Sequence, residues 1–178
     1  EVNISCPNVK KGGMEFGVDC DLTKKLTEKL RSMTEKLLII KLSPNVTDIS
    51  AIAKSAEEGG ADAVSAINTV VGMSIDIHKQ KPNIFTKFSG LSGPAIRPIG
   101  IAAVYKVFQT VNIPIIGIGG ITNSTDVLEY MFAGASAVQV GTANYRNPGI
   151  ALSMIDELNS YVGQNKLSSI TDIVGAVS

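Results

Sequence analysis

Short runs of apolar residues alternate along this chain with stretches in which apolar residues recur every three or four positions. The apolar runs predict strands buried on both faces, as in a parallel sheet covered by helices, and the periodic stretches predict amphipathic helices. The predicted strands are residues 1–6, 37–42, 63–68, 113–121 and 137–143, and the predicted helices are residues 22–34, 48–58, 98–108, 124–132 and 148–161. For the first helix, Asp21 is the expected N-cap, and Leu22, Leu26, Leu30 and Met33 are its expected buried stripe. The alternation of strand and helix predicts an α/β fold.

The number of strands bears on the architecture. A closed eight-stranded α/β barrel needs about 250 residues, whereas five strands are predicted in these 178 residues. The sequence also begins at Glu1 inside a predicted strand, without an initiator methionine. We therefore expect residues 1–178 to be the C-terminal portion of a parallel (β/α)8 barrel of the TIM type, supplying about strands 4 to 8.

Composition excludes several classes of function. The 16 basic residues balance the 16 acidic residues, so no global field favours nucleic acid or an anionic membrane. The sequence shows no signal peptide and no apolar run of about eighteen residues, so no membrane span is expected. Cys6 and Cys20 are its two cysteines and His78 is its one histidine. This content predicts no disulfide framework, a reducing cytoplasm and no metal site.

Polar residues stand where the predicted strands end, which is where barrel enzymes concentrate their chemistry. Cys6 precedes Pro7, which cannot join a strand ladder, so the first strand must stop near the thiol. A cysteine there is either a buried structural thiol or a nucleophile or base. The neighbouring amides of Asn3 and Asn8 can each offer a donor and an acceptor to a planar ligand, which favours the second interpretation.

Lys41 ends the second predicted strand, and Asn68 followed by Thr69 ends the third. A lysine at the end of a buried strand either pairs with an anion or an electron-rich ligand, or extends its ammonium to solvent. Position alone leaves these alternatives open.

Glycines end the last two predicted strands, at Gly119-Gly120 and at Gly141-Thr142. Such glycines let backbone amides approach a phosphate closely, and the phosphate site of an eight-stranded α/β barrel commonly follows strands seven and eight. The alternative is that these glycines only make tight turns.

Taken together, these strand ends resemble the dihydroorotate dehydrogenase family. The motifs that carry the resemblance are Asn-Ile-Ser-Cys-Pro-Asn at 3–8, Ile-Lys-Leu-Ser-Pro at 40–44, Ile-Asn-Thr at 67–69, Leu-Ser-Gly-Pro-Ala-Ile at 91–96, Ile-Gly-Gly-Ile at 118–121 and Gly-Thr-Ala-Asn at 141–144. The cysteine is typical of class 1 enzymes, because class 2 enzymes use serine as base. The segments 70–73 and 92–98 look most like the class 1B form.

The resemblance implies oxidation of dihydroorotate to orotate in pyrimidine biosynthesis. Cys6 would remove the C5 proton while hydride leaves C6 for N5 of FMN, and Lys41 would stabilise the anionic reduced flavin beside it. Asn3, Asn68 and Thr69 would bind the pyrimidine, with Asn8 as a further substrate contact. The implied FMN-binding residues are Asn3, Lys41, Ile67, Gly93, Gly119, Gly120, Gly141 and Thr142.

The class 1B resemblance also implies partners. Electrons would pass to NAD through a separate subunit that carries FAD and a 2Fe-2S cluster, in a heterotetramer built on a homodimer of barrels. Two alternatives to this function stay open. One is an FMN enzyme like dihydropyrimidine dehydrogenase, although Asn8 and the lack of further iron-sulfur motifs argue against it. The other is a truncated barrel that keeps a phosphate cradle and turns nothing over.

Overall fold

The structure is a computed structural model that describes residues 1–5 and 16–177. In the described residues the strands are β1 (Val2–Asn3), β2 (Ile39–Leu42), β3 (Ala63–Ala66), β4 (Val70–Gly72), β5 (Ile75–Asp76), β6 (Lys81–Pro82), β7 (Ser89–Leu91), β8 (Ile115–Ile118) and β9 (Ala137–Gln139). The helices are α1 (Cys20–Arg31), α2 (Ile49–Glu58), α3 (Arg97–Phe108), α4 (Ser124–Phe132), α5 (Thr142–Arg146) and α6 (Ile150–Gln164). Short 3-10 helices cover Phe16–Val18, Pro94–Ile96 and Ile170–Ile173.

Five strands form one parallel sheet in the order β1, β2, β3, β8 and β9. In its register, Asn3 lies opposite Lys41, and Lys41 lies opposite Ser65. Because all five strands run in the same direction, their carboxyl ends lie along one edge of the sheet. The α/β class and the parallel sheet predicted from the sequence are confirmed.

The main core lies between this sheet and its helices. Ile40, Leu42, Val64 and Ala66 are fully buried there. In β2 the buried Ile40 and Leu42 alternate with the partly exposed Ile39 and Lys41. The prediction that this strand is buried on both faces is therefore wrong. The prediction that the strand begins at residue 37 is also wrong, because β2 begins two residues later.

Helices α2 and α4 match their predictions closely, but α1 does not. Its N-cap is Asp19, which accepts a 2.8 Å hydrogen bond from the Leu22 amide, so the Asp21 prediction is wrong. Its fully buried residues are Thr23 and Thr27, while Leu22, Leu26 and Leu30 are only partly buried and Met33 is exposed. Thr27 is buried because α1 packs closely against the end of α2. A Cβ added to Gly59 there would lie only 2.7 Å from Thr27 Cβ.

The segment between β3 and α3 forms two antiparallel ribbons. Strand β4 pairs with β7, and β5 pairs with β6. His78 lies exposed in the turn of the outer ribbon, where its amide donates to Asp76 Oδ1 at 3.0 Å. The ribbons bring residue 91 back to the carboxyl edge of the sheet, next to the end of β3.

Candidate functional site

A cavity of about 450 Å³ opens at the carboxyl ends of β2, β3, β8 and β9. Most of the residues predicted for the site line it: Lys41, Ile67, Asn68, Thr69, Gly93, Gly119, Gly120, Gly141 and Thr142. They come from five separate segments of the chain, and the parallel sheet brings them together. The prediction that the strand ends converge on one place is therefore confirmed for these residues.

One wall of the cavity is made of the polar side chains of Lys41, Asn68 and Thr69. Asn3 of β1 does not line the cavity itself but is hydrogen-bonded to Asn68. We call these four residues the polar wall. Asn3 Oδ1 accepts hydrogen bonds from Asn68 Nδ2 at 3.1 Å and from the Ser5 amide at 3.0 Å. Asn68 Oδ1 accepts from the Thr69 amide at 2.8 Å. The two amide side chains are thus held in one orientation, and each keeps N–H groups that can donate to a planar polar ligand.

Lys41 supplies the positive charge of the polar wall. Its side chain is 21% exposed, and its Nζ lies 3.6 Å from Glu1 Oε1. Its backbone oxygen accepts a 3.2 Å hydrogen bond from Ser5 Oγ, which ties the end of β1 to the end of β2. The ammonium is therefore paired and half-buried at the cavity rather than extended into solvent.

The opposite wall is made of backbone, and we call it the glycine wall: Gly93, Gly119, Gly120 and Gly141. The first three have positive φ angles of 90°, 129° and 71°. At Gly120 a Cβ would lie 2.8 Å from Gly93 O and 2.9 Å from Arg97, so no side chain fits. At Gly141, by contrast, a Cβ would meet no atom within 4 Å, so the space beside its backbone is open.

Two fixed contacts support the glycine wall from behind. The fully buried Tyr130 of α4 donates from its hydroxyl to Gly119 O at 2.8 Å and lies 3.2 Å from Ile118 O. Burial raises the pKa of Tyr130, so its hydroxyl stays protonated and can donate. The buried Asp126 accepts from the Thr122 amide at 2.8 Å and pairs with Arg97. The loop after β8 is therefore held rigidly.

Cys6 and Asn8 lie outside the described residues, so their predicted roles stay predictions. Among the residues that the structure does describe, no group of three or more histidine, cysteine, aspartate or glutamate side chains is placed to hold a metal ion. No helix in the described ranges is long and apolar enough to cross a membrane.

The family model for dihydroorotate dehydrogenase matches residues 1–162. The chain belongs to the dihydroorotate dehydrogenase family. Curated relatives from Bacteroides fragilis and Desulforamulus reducens, each named dihydroorotate dehydrogenase B (NAD(+)), catalytic subunit, are 49% and 51% identical over 99% of this chain. The relative of the same name from Oceanobacillus iheyensis is 52% identical over 98%. The chain spans 57 to 58% of the length of these relatives.

Solved structures give the same family. Two crystal structures of DHODH from Eimeria tenella, one with ferulenol and one ligand-free, superimpose with TM-scores of 0.76 and 0.79 at 27% identity. Each covers 98% of this chain, and the chain covers 52% and 54% of theirs. The resemblance inferred from the motifs is confirmed, as is the expected α/β architecture of the TIM type for the part that this chain covers.

Four polar residues that line the cavity were not predicted: Ser92, Thr122, Arg146 and Asn147. Ser92 Oγ accepts a 3.1 Å hydrogen bond from Thr142 Oγ1, which joins the loop after β7 to the start of α5. Ser92 lies inside a motif already recognised, so its neighbour Gly93 could have indicated it. Arg146 ends α5, and a five-residue helix is too short to show a periodic pattern.

Proposed function

We propose that the full-length protein oxidises dihydroorotate to orotate, and that residues 1–178 form the C-terminal portion of its FMN-binding barrel domain. The observation that carries this proposal is the cavity at the carboxyl edge of the sheet, in which polar side chains face the glycine wall. The names of the relatives support it, since dihydroorotate dehydrogenase B is the name that they share.

The cavity fits the requirements of FMN. Its volume of about 450 Å³ lies within the range of about 300 to 1,000 Å³ that is usual for cofactor and ligand sites. The open space beside Gly141 leaves room for a phosphate against backbone amides, and Thr142 adds a hydroxyl there. Lys41 lies at the other end, where a cation can neutralise negative charge on a reduced ring. When bound, FMN would supply the hydride acceptor that none of these side chains can provide.

The side chains of the chain itself then have distinct tasks. Asn3, Asn68 and Thr69 bind the pyrimidine. The hydrogen bonds among these three residues hold their side chains in place, and the side chains in turn orient the pyrimidine before reaction. Cys6 takes the proton from C5 of dihydroorotate, with Asn8 as a further substrate contact. The tether of Ser5 Oγ to Lys41 O fixes where the chain leaves β1 toward the thiol. The apolar Ile67 and the backbone of Gly93 line the flavin site.

We further propose that the flavin electrons pass to NAD through a partner subunit that carries FAD and a 2Fe-2S cluster, on a homodimer of barrels. The words "B (NAD(+)), catalytic subunit" in the names of the relatives support a separate electron-transfer subunit. A cytoplasmic location stays a prediction from the cysteine content.

The visible absorption spectrum of the purified polypeptide, recorded before and after anaerobic dihydroorotate, tests the function. We expect a flavin band that bleaches with dihydroorotate. A flavin band that bleaches only with NADPH-linked uracil chemistry would instead favour a dihydropyrimidine dehydrogenase. A colourless protein that takes up no added FMN would show that these residues alone do not make a flavin site.

A further inference from the structure

Behind the polar wall lies a carboxylate to which neither the motifs nor the family names give a role. Glu1 does not line the cavity. Residues two apart in a strand share a face, so Glu1 lies on the same face as Asn3, whose register partner is Lys41. One oxygen of this carboxylate, Oε1, lies 3.6 Å from Lys41 Nζ.

The second oxygen of Glu1 is held from the far end of the sheet. Gln139 of β9 donates from Nε2 to Glu1 Oε2 at 2.8 Å. The strands β1 and β9 stand at the two ends of the five-stranded order, so this bond crosses the concave side of the sheet. Both oxygens of the carboxylate therefore have a partner, and the position of its charge relative to Lys41 is fixed.

Glu1 is also held in its charged form. Burial alone would raise its pKa, but the Gln139 hydrogen bond, the nearby Ser65 hydroxyl and Lys41 together outweigh burial and lower the pKa below its ordinary value of 4.5. The side chain is 26% exposed, so solvent screens the pair only in part. At neutral pH, Lys41 thus always faces a carboxylate.

We propose that Glu1 is a positioning residue for Lys41: with Gln139 orienting its carboxylate, it holds the ammonium at the cavity wall and sets how much positive charge the bound flavin experiences. This inference rests on the proposed function, because it takes the ligand beside Lys41 to be FMN. A charge near the flavin ring changes its reduction potential. Partial neutralisation by Glu1 keeps the potential lower than an unpaired lysine would.

The first test measures the FMN reduction potential of the full-length protein. In Glu1→Gln we expect the ratio of reduced to oxidised flavin at a fixed potential to rise about tenfold, equal to about 30 mV for a two-electron couple. Glu1→Asp should lie between Glu1→Gln and the unmodified protein. Gln139→Met, which removes the orienting donor at similar length, should shift the potential the same way but less. Glu58→Gln, which breaks the Lys24 ion pair on the outer surface, is the matched control and should change nothing.

The inference requires that Glu1 act through Lys41. In a Lys41→Met background, Glu1→Gln should therefore move the potential much less than it does with Lys41 present. An equal shift in both backgrounds, or no shift in Glu1→Gln, would overturn the proposal.

A second measurement needs no flavin. Mass spectrometry can follow the rate at which acetic anhydride acetylates Lys41. This rate should be about threefold higher in Glu1→Gln, because the substitution removes the ion-pair partner of the Lys41 amine. Unchanged Lys41 labelling would overturn the proposed pairing even if the protein proved colourless. A colourless protein with faster Lys41 labelling would instead overturn the flavin function and leave the Glu1–Lys41 pairing standing.

Discussion

The two walls of the cavity are built in opposite ways. The polar wall consists of side chains on the ends of β1 to β3, and most of them are partly exposed and bonded mainly to one another. The glycine wall consists of backbone, and its shape is fixed by positive φ angles and by the buried Tyr130 and Asp126 behind it. The polar wall supplies side-chain functional groups, whereas the glycine wall supplies a backbone surface of fixed conformation.

This difference predicts which substitutions affect chemistry and which affect folding. A polar-wall side chain contributes little to the core, so its removal should change ligand binding or reaction and leave the free energy of unfolding nearly unchanged. At Gly120 of the glycine wall a change should do both at once, because its backbone faces the cavity and also packs against Arg97 of α3, whereas at Gly141, where the space is open, a change should affect ligand binding alone. Five substitutions test this division.

The largest effect is expected at Cys6, which lies three residues after Asn3 in the sequence. Cys6→Ala should leave FMN binding intact and slow flavin reduction by dihydroorotate about 10² to 10⁴-fold, the usual worth of general base catalysis. Rapid-mixing absorbance at the flavin band measures the rate. Cys20→Ala, at the start of α1 and outside the cavity, is the matched control. An unchanged rate in Cys6→Ala would remove Cys6 from the reaction.

In the glycine wall, Gly120→Ala should lower the free energy of unfolding by about 2 to 5 kcal/mol. A left-handed conformation costs about 1 to 2 kcal/mol for a residue with a Cβ, and overpacking costs about 1 to 3 kcal/mol. Gly141→Ala has open space, so its stability should change by less than about 0.5 kcal/mol while FMN affinity falls. Urea denaturation and FMN titration give the two quantities.

A third glycine serves as the control for these two. Gly163 also has no atom within 4 Å of an added Cβ, but it lies in α6 away from the cavity. Gly163→Ala should raise stability by about 0.5 to 1 kcal/mol and leave FMN affinity unchanged. Equal FMN affinities in Gly141→Ala and Gly163→Ala would show that the space beside Gly141 holds no phosphate.

Tyr130→Phe should cost about 1 to 3 kcal/mol of stability, since it removes the buried hydroxyl that donates to Gly119 O. The cost should also depend on pH. Burial raises the pKa of Tyr130 above its ordinary value of 10.0. Above pH 10 the unfolded chain therefore loses a proton that the folded chain keeps, and stability falls as pH rises.

Tyr130→Phe lacks this proton, so its stability deficit relative to the unmodified protein should shrink above pH 10. Urea denaturation between pH 8 and pH 10.5 measures the difference. Tyr145→Phe, at a side chain that is 92% exposed, should match the unmodified protein at every pH. A deficit that does not change with pH would contradict burial of the Tyr130 hydroxyl.

The smallest effect is expected at Asn45, which supports the polar wall without entering the cavity. Its Nδ2 donates to Thr69 O at 3.0 Å, and its Oδ1 accepts from the Val71 amide at 2.9 Å. Asn45→Ala should raise KM for dihydroorotate about fivefold, equal to about 1 kcal/mol, with little change in kcat. Asn165→Ala, which removes a similar bond to Tyr161 O at the end of α6, should leave KM unchanged.

The sequence predicted the polar wall well, for a physical reason. Parallel strands carry their carboxyl ends to one edge, so a polar residue such as Lys41 or Asn68 after an apolar run indicates a position in the cavity as well as a secondary structure. The glycines of the opposite wall were found by the same logic. Both walls consist of short motifs at strand ends, and the parallel sheet is enough to predict which of these motifs lie near one another.

What the sequence did not predict depends on contacts between distant segments. Thr27 is buried because Gly59 lets α1 approach α2, and neither residue indicates this by itself. Gln139 lies within the predicted strand 137–143, and its bond to Glu1 becomes visible only when β1 and β9 are seen at the two ends of one sheet. The ribbons of residues 70–91 have strands of two or three residues, too short for a pattern.

The inner ribbon, β4 with β7, is anchored to the cavity at Thr69. A Cβ on Gly90 would lie 2.1 Å from Thr69 Oγ1, so β7 lies directly on the residue assigned to the substrate. Because the ribbon is paired only locally, its amides open and exchange with deuterium more readily than those of the central strands. Any ligand that needs Thr69 in place stabilises the closed ribbon by mass action. Slower hydrogen exchange across β4 and β7 is thus a remote signal of occupancy, readable without following any colour or turnover.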